Sequence, residues 1–274
     1  ELTNIKTIMF QYGTKSWDIG IISEKNFNSK KNLKKFFVDY IFLHNRKLIK
    51  IYANFVRGKK IAIGSFPNNF CDIKIKKKRE ILYLSTFRPN TKSWHYGDAV
   101  IIKKLYTLAK KNNLKFNISG RHVKFEKEEI EYYDNIINDK FYFISKKRFA
   151  DSYKVMNKFK FVFTTFATMA KENLAAGGRT GIILFKPKNN QSKVLKLGYG
   201  NFEGLNKKGP FWSNMKFFEK NEVERIFNFV TKSRDNEWKK IKTKFIDPVL
   251  NYDEKNKKVL NIIKKINDEK IKKF

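Results

Sequence analysis

The stretch Phe161 to Leu184, FVFTTFATMAKENLAAGGRTGIIL, constrains the fold of this chain more than any other. Phe161 to Phe163 is short, apolar and β-favouring, whereas Met169 to Ala176 is rich in helix formers, so a strand must feed a helix across a threonine-rich turn. A glycine pair then separates that helix from a second apolar strand. The first N–H groups of such a helix have no partners inside it, and with the helix dipole they make a ready anion site. Hydroxyls of Thr164, Thr165 and Thr168 surround the helix start, and Glu172 follows one turn after Thr168. The geometry suits a nucleotide, with phosphate at the helix tip and sugar hydroxyls at the carboxylate. An ordinary βαβ unit capped by threonines is the competing reading.

The same alternation runs along the rest of the chain. Thr7 to Gln11 and Asp39 to Phe42 read as strands, Arg46 to Val56 as a helix stopped near Gly58, and Lys60 to Ile63 as a third strand. Pro67 to Arg79 combines proline, paired asparagines and a basic run, and reads as an interdomain linker. A second series follows: strand Glu80 to Ser85, helix Tyr96 to Lys111, strand Lys115 to Ser119, helix Lys127 to Ile137, strand Phe141 to Ile144 and a helix near Ala150 to Asn157. The Phe161 strand, the Met169 helix and a strand from Thr180 to Phe185 complete it. Five strands separated by helices predict a doubly wound parallel sheet, with ligands beyond the C-terminal strand ends, where Ser119, Thr164 and Lys186 would gather. The remainder reads as a loop from Pro187 to Asn214, a helix from Glu219 to Val230 and two more basic helices. Residues 1–78 are thus expected as a first Rossmann-like domain, 79–232 as a second and 233–274 as C-terminal helices. The chain opens on Glu1 and enters a strand within a few residues, so N-terminal sequence is expected to be missing.

Composition narrows the class. With 274 residues, 41% hydrophobic and 16% aromatic, the chain can bury a large core. Its 60 Lys+Arg against 26 Asp+Glu give a net charge of +34, which would ordinarily point to nucleic acid or an anionic membrane surface. The lysines, however, are spread over nearly every segment, whereas a nucleic-acid footprint is concentrated on one face with aromatics interleaved. The nearest candidates, Lys74 to Arg79 and the C-terminal tail, read as solvated surface. The single cysteine, Cys71, excludes an internal disulfide framework and a structural zinc site and fits a reducing compartment. No run approaches the roughly 20 apolar residues needed to span a bilayer, and the N-terminus lacks the form of a signal peptide. A soluble cytoplasmic protein is expected, attached to a membrane only peripherally if at all.

Gly120-Arg121-His122 directly follows a predicted strand, so both side chains are expected in the same crevice as the Thr164 turn. A guanidinium there would clamp a diphosphate through two parallel hydrogen bonds, and an imidazole could donate to a phosphate or leaving-group oxygen. A surface loop pair is the alternative. GPFWSN, Gly209 to Asn214, places two large aromatics in a loop, to stack on a sugar or to pack the loop onto the domain. His44, His95 and His122 fall in separate elements, so no histidine metal site is expected. No G-x-S-x-G elbow, Walker loop or G-x-G-x-x-G follows the first strand, which sets aside serine hydrolases, P-loop enzymes and dinucleotide dehydrogenases.

MFQYGT at Met9, DYIFLHNRKLIKIY at Asp39, IGSFPNN at Ile63, the TTFATMAKENLAAGG turn and GPFWSN occur in an order that resembles a family of bacterial surface-carbohydrate (O-antigen) biosynthesis proteins. More distantly the chain is similar to CDP-glycerol glycerophosphotransferases and UDP-N-acetylglucosamine 2-epimerases. The resemblance covers Thr7 to about Val230. It implies an α/β, GT-B-like fold of two Rossmann-like domains, the first incomplete here, followed by C-terminal helices. By motif position it implies that Thr165 and Thr168 hold donor phosphate, that Glu172 holds the ribose hydroxyls, and that Arg121 or His122 contacts phosphate. Relatives often carry an acid and a serine where this chain has Thr165 and Ala167. In the glycerophosphotransferases a histidine precedes the glycine of the first-domain motif and serves as base, and here that place is Tyr12. A phenol with a pKa of about 10 is a poor base at neutral pH, so the base is unassigned, with Tyr12 and His122 as candidates.

The expected activity is that of a nucleotide-sugar-dependent glycosyltransferase in surface polysaccharide assembly, without cofactor or metal. Its partners would be a nucleotide-activated sugar, a glycan or lipid-linked acceptor and an anionic membrane surface. The alternatives are a same-fold polyol-phosphate transferase or sugar epimerase, a basic nucleic-acid-binding α/β protein, and a non-catalytic carbohydrate or scaffold module.

Overall fold

The computed structural model describes residues 5–11, 36–53, 56–71, 77–89, 92–147, 149–165, 167–185, 208–215 and 217–271. Tyr12 and Lys186 therefore lie outside the described residues. Strands β1 (Ile8–Phe10), β2 (Phe36–Leu43) and β3 (Val56–Ala62) form one parallel sheet in the order β1-β2-β3. Parallel neighbours cannot be joined by a tight hairpin. Helix α1 (Arg46–Ala53) makes the crossover from β2 to β3 and packs Leu48 against Ile41 and Leu43. It ends before Val56, which already belongs to β3, so β3 starts earlier than the sequence suggests. A helical turn, α2 (Phe66–Asn69), capped by Ser65, leaves this sheet.

The second sheet holds β4 (Lys78–Leu84), β5 (Phe116–Ser119), β6 (Tyr142–Ile144), β7 (Phe159–Thr164), β8 (Arg179–Phe185), β9 (Lys208–Gly209) and β10 (Trp212–Met215). Its order is β6-β5-β4-β7-β8-β10-β9, and every pair is parallel except the two-residue edge strand β9. The order reverses between β4 and β7, which opens a crevice beyond their carboxyl ends. Helices α3 (Lys92–Lys111), α4 (Glu126–Ile137), α5 (Phe149–Asn157), α6 (Thr168–Ala175) and α7 (Lys220–Lys232) belong to this sheet's crossovers and faces. Tyr83, Phe161, Phe163 and Ile183 are fully buried in its core. GPFWSN departs from the predicted loop. Trp212 to Asn214 pair in parallel with Ile182 to Leu184, and Phe211 and Trp212 pack against each other and against Trp238 and Phe245. The aromatics pack, because two large rings gain several kcal/mol by leaving water and the apolar edge of β8 offers the place.

Beyond α7 the chain forms α8 (Asp235–Ile241), a π turn (Lys242–Ile246), a 3-10 turn (Glu254–Asn256) and α9 (Lys257–Ile271). Here it returns to the first sheet, where Val259 packs with Phe42 and Ile63. Asn251 donates its N–H to His44 O at 3.4 Å and accepts from Arg46 N at 3.1 Å. Gly64, at φ +81°, lies so close that a Cβ there would stand 2.0 Å from Asn251 O. The segment read from the sequence as an interdomain linker begins as a buried junction. Asn68 and Asn69 are 1% and 0% exposed. Asn68 Nδ2 donates to Glu172 O at 3.0 Å, and Asn69 Nδ2 donates to Ile63 O at 2.9 Å and Asn256 Oδ1 at 2.8 Å. Paired side-chain amides satisfy buried backbone groups as water would outside, which lets a polar segment cross between two cores. Among the described residues, no helix is long and apolar enough to cross a membrane.

Candidate functional site

Both sheets present their carboxyl strand ends to one cleft of about 550 Å³. The first sheet contributes Gln11 after β1, His44 after β2 and Ser65 after β3. From the second come Ser85, Thr86 and Arg88 after β4, Ser119, Arg121 and His122 at the end of β5, Lys146 and Lys147 after β6, and Thr168 and Glu172 on α6. Of the sequence-predicted donor residues, Arg121, His122, Thr168 and Glu172 line the cleft together. Thr164 and Thr165 do not, and each is 1% exposed.

The Gly120-Arg121-His122 turn is built from below. Gly120 admits no side chain, since a Cβ would lie 2.6 Å from the Phe143 ring. Glu129, on α4 and fully buried, accepts the Arg121 N–H at 2.9 and 3.0 Å and the His122 N–H at 3.2 Å. It also accepts the Ser85 hydroxyl, whose oxygen in turn accepts from Tyr133 at 2.7 Å. Arg121 Nη1 donates to Thr86 O at 3.2 Å and Phe87 O at 3.3 Å, so part of the fork is anchored and the rest is available. Burial, then the neighbouring Arg88, lowers the Arg121 pKa, yet a guanidinium stays charged at neutral pH. Burial and then Arg121 likewise lower His122, so its imidazole is neutral near pH 7.

At the turn between β7 and α6, the N-cap of α6 is Ala167, with no side-chain cap. Thr164 works one step earlier. Its hydroxyl donates to Leu84 O at 3.0 Å and accepts the Ala167 N–H at 3.2 Å, tying β7 to β4. Thr165 meets Thr86 at 2.9 Å, and Thr86 donates to the buried Asp98 of α3. Burial pushes the Asp98 pKa up to about 6, against the hydroxyl bonds and the charges of Arg121 and Arg88, which hold it down. Both threonines thus support the cleft floor, and Thr168 alone of the three faces the cavity. A helix start without a side-chain cap keeps its N–H groups for a ligand.

Glu172 is 4% exposed. Burial raises its pKa, with Tyr153 and Ser65 partly offsetting the effect by hydrogen bonding. Across the cleft, His44 Nε2 lies 3.2 Å from Gln11 O, and the His44 backbone N–H donates to Gln11 Oε1 at 2.9 Å. Burial takes the His44 pKa down to about 4, so this imidazole is neutral at pH 7. Three buried atoms of cleft residues, Ser119 Oγ, His122 Nε2 and Glu172 Oε2, have no hydrogen-bond partner among the described residues. Buried polar atoms are otherwise almost always paired, so unmet capacity gathered in one cavity from three elements marks a ligand site. Among the described residues no cluster of histidine, cysteine and acidic side chains could hold a metal ion.

Sequence reading missed Glu129, Asp98, Arg88, His44 and the Lys146-Lys147 pair. Glu129 sits in an acidic first turn of α4, where the helix dipole alone explains an acid. Lys146 and Lys147 are indistinguishable by sequence from dozens of other basic residues.

The sequence matches, over residues 8–267, a family described as "putative O-antigen biosynthesis protein". No curated protein matches it significantly. Among solved structures, the wall teichoic acid polymerase TagF is 14% identical with a TM-score of 0.55, over 96% of this chain and 69% of that one. The pneumococcal O-GlcNAc transferase GtfA, in complex with UDP and GlcNAc, is 13% identical with a TM-score of 0.43, over 84% of this chain and 45% of that one. A variant of TarM from S. aureus, in complex with fondaparinux, α-GlcNAc-glycerol and UDP, is 15% identical with a TM-score of 0.44, over 87% and 46%. The chain spans about half the length of GtfA and TarM. The likeness to TagF is one of fold, the two facing parallel sheets of a GT-B architecture.

Proposed function

This chain belongs to the O-antigen biosynthesis family, and from that premise we propose that it carries the donor-binding machinery of a nucleotide-sugar-dependent glycosyltransferase acting in bacterial surface polysaccharide assembly. The observation that carries this reading is the set of unpartnered polar atoms, Ser119 Oγ, His122 Nε2 and Glu172 Oε2, gathered in a cleft walled by Arg88, Arg121, Lys146 and Lys147. A nucleoside diphosphate matches that polarity. In this reading its diphosphate lies between the Arg121 guanidinium and the start of α6 at Thr168, and its ribose hydroxyls donate to Glu172. His122, anchored through its backbone N–H to Glu129, turns its unpartnered Nε2 to the ligand; the charge of a bound diphosphate favours the imidazolium form, in which Nε2–H donates to a phosphate oxygen. As the bond from the anomeric carbon to the diphosphate breaks, the developing negative charge meets cations already in place, which is electrostatic catalysis and needs no metal.

On the opposite wall, His44 is the titratable group available to an acceptor hydroxyl. With Nε2 directed at Gln11 O, Nδ1 is the nitrogen left to take a proton, and the neutral form is the one that can. An anionic donor across the cleft raises the affinity of this imidazole for a proton, which moves His44 from a weak base toward a useful one. The test is a thermal-shift screen of UDP, CDP, GDP, UDP-N-acetylglucosamine and CDP-glycerol, each with wild type and Arg121→Ala. A nucleotide that raises the wild-type melting temperature and not that of the variant supports the reading. Equal shifts in both proteins would refute the assigned site.

A further inference from the structure

A second cavity, of about 370 Å³, is lined by Lys77, Lys160, Arg179, Trp238, Lys239 and Lys242. Lys77 immediately precedes β4, Lys160 is the second residue of β7 and Arg179 opens β8. These strands are parallel and about seven residues long, so the cavity lies roughly 20 Å from the cleft, at the opposite ends of the same strands. Nothing bound here can touch the reacting atoms of a donor in the cleft.

Five cations and one carboxylate, Asp235, line this cavity, and some of the cations are committed. Arg179 pairs with Asp235 at 2.6 Å, bonds the backbone of Val230 and Ser233, and stacks over Trp238 at 5.8 Å. Lys242 pairs with Asp247. Lys77, Lys160 and Lys239 make no ion pair among the described residues, and burial lowers the affinity of Lys77 for its proton. Trp238 Nε1 donates to Gly177 O at 3.3 Å, so indole and guanidinium form a fixed wall. Lys77, partly buried, loses hydration here, and a bound anion offsets that loss. A tetrahedral anion with several acceptor oxygens suits ammonium donors, which bind phosphate as point charges.

We propose that this cavity is a second anion site, which takes a phosphate group away from the reaction cleft. The same chemistry is presented by a free phosphate ester and by the headgroup of an anionic phospholipid. It does not depend on the glycosyltransferase reading.

The test compares two double variants that remove equal charge, Lys160→Ala/Lys239→Ala in the cavity and Lys264→Ala/Lys265→Ala on the exposed face of α9. Each is titrated with glycerol 3-phosphate by calorimetry and sedimented with phosphatidylcholine vesicles containing about a third phosphatidylglycerol or none. The cavity variant is expected to lose about tenfold in phosphate affinity, the scale of a charged hydrogen bond, while the control loses less than twofold. Loss of vesicle binding in the cavity variant alone makes the source a lipid headgroup, whereas unchanged vesicle binding with lost phosphate binding makes it a soluble ester. Equal losses in the two variants, no loss in either, or no binding by wild type would overturn the proposal. If the double variant fails to fold by circular dichroism, Lys239→Gln, at an exposed position, is read by the same criteria.

Discussion

Replacing Glu172 by glutamine should move stability and binding in opposite directions. The carboxylate is 4% exposed, its Oε2 has no partner among the described residues, and burial raises its pKa. An acid whose folded pKa is raised stabilises the fold below its unfolded pKa of about 4.5 and loses that contribution as pH rises through the folded value. Above that value the charge is carried at a cost. Glutamine keeps the shape and removes the charge, so Glu172→Gln should stabilise the unliganded protein by about 0.5 to 2 kcal/mol, the range of substitutions that relieve a functional site. For a chain of this size, that is a rise of roughly 2 to 4 °C in melting temperature per kcal/mol. The gain should shrink as the pH falls toward 4.5, where wild type is protonated too. If the carboxylate accepts ribose hydroxyls, the same change removes a charged hydrogen bond of about 1.5 to 3 kcal/mol, or tenfold to hundredfold in nucleotide affinity. Differential scanning calorimetry between pH 4.5 and 7.5 and calorimetric titration with the nucleotide found by the screen measure both. A lowered melting temperature with unchanged affinity would refute the reasoning and make Glu172 a structural acid of α6.

Other expectations follow from the same site. His44 has a folded pKa of about 4 against 6.5, so its neutral form contributes stability above pH 6.5 that is lost, to about 3 kcal/mol, as pH falls toward 4. His44→Gln should flatten that part of the difference between urea unfolding curves, and a variant with the wild-type slope would contradict the burial argument. Glu129→Gln should cost about 1 to 3 kcal/mol, because a carboxamide cannot accept all the donors that converge on this side chain. It should also weaken nucleotide binding through the Arg121 turn, whereas unchanged binding would show that the turn holds without it. Gly64→Ala should destabilise by at least 1 to 3 kcal/mol, since φ is +81° and the new methyl would meet Asn251 O; a neutral result in chemical denaturation would mean that the two segments separate freely.

Much of the fold was legible because short-range chemistry fixes it. Alternating apolar runs and helix formers placed nearly every strand and helix of the second sheet within a few residues, and the strand-turn-helix at Phe161 to Ala175 follows from periodicity alone. The position of Thr168, Glu172, Arg121 and His122 at the cleft was legible for the same reason, since the turns and helix starts that follow parallel strand ends border the crevice. What the sequence left open depends on partners distant along the chain. GPFWSN has loop composition and became a strand because the edge of β8 was free to pair with it. Thr164 and Thr165 look like ligand groups beside Thr168, yet Leu84 and Asp98, which come from other elements, recruit them into the floor through direct and relayed hydrogen bonds. Glu129 became the anchor of the Arg121 turn, and His44 the neutral imidazole of the facing wall, only when helices and sheets closed around them. Local periodicity decides which segments are strands and helices. Burial and hydrogen-bond partnership are set by the whole chain at once, and they decided which polar groups are spent on the scaffold and which remain for a ligand.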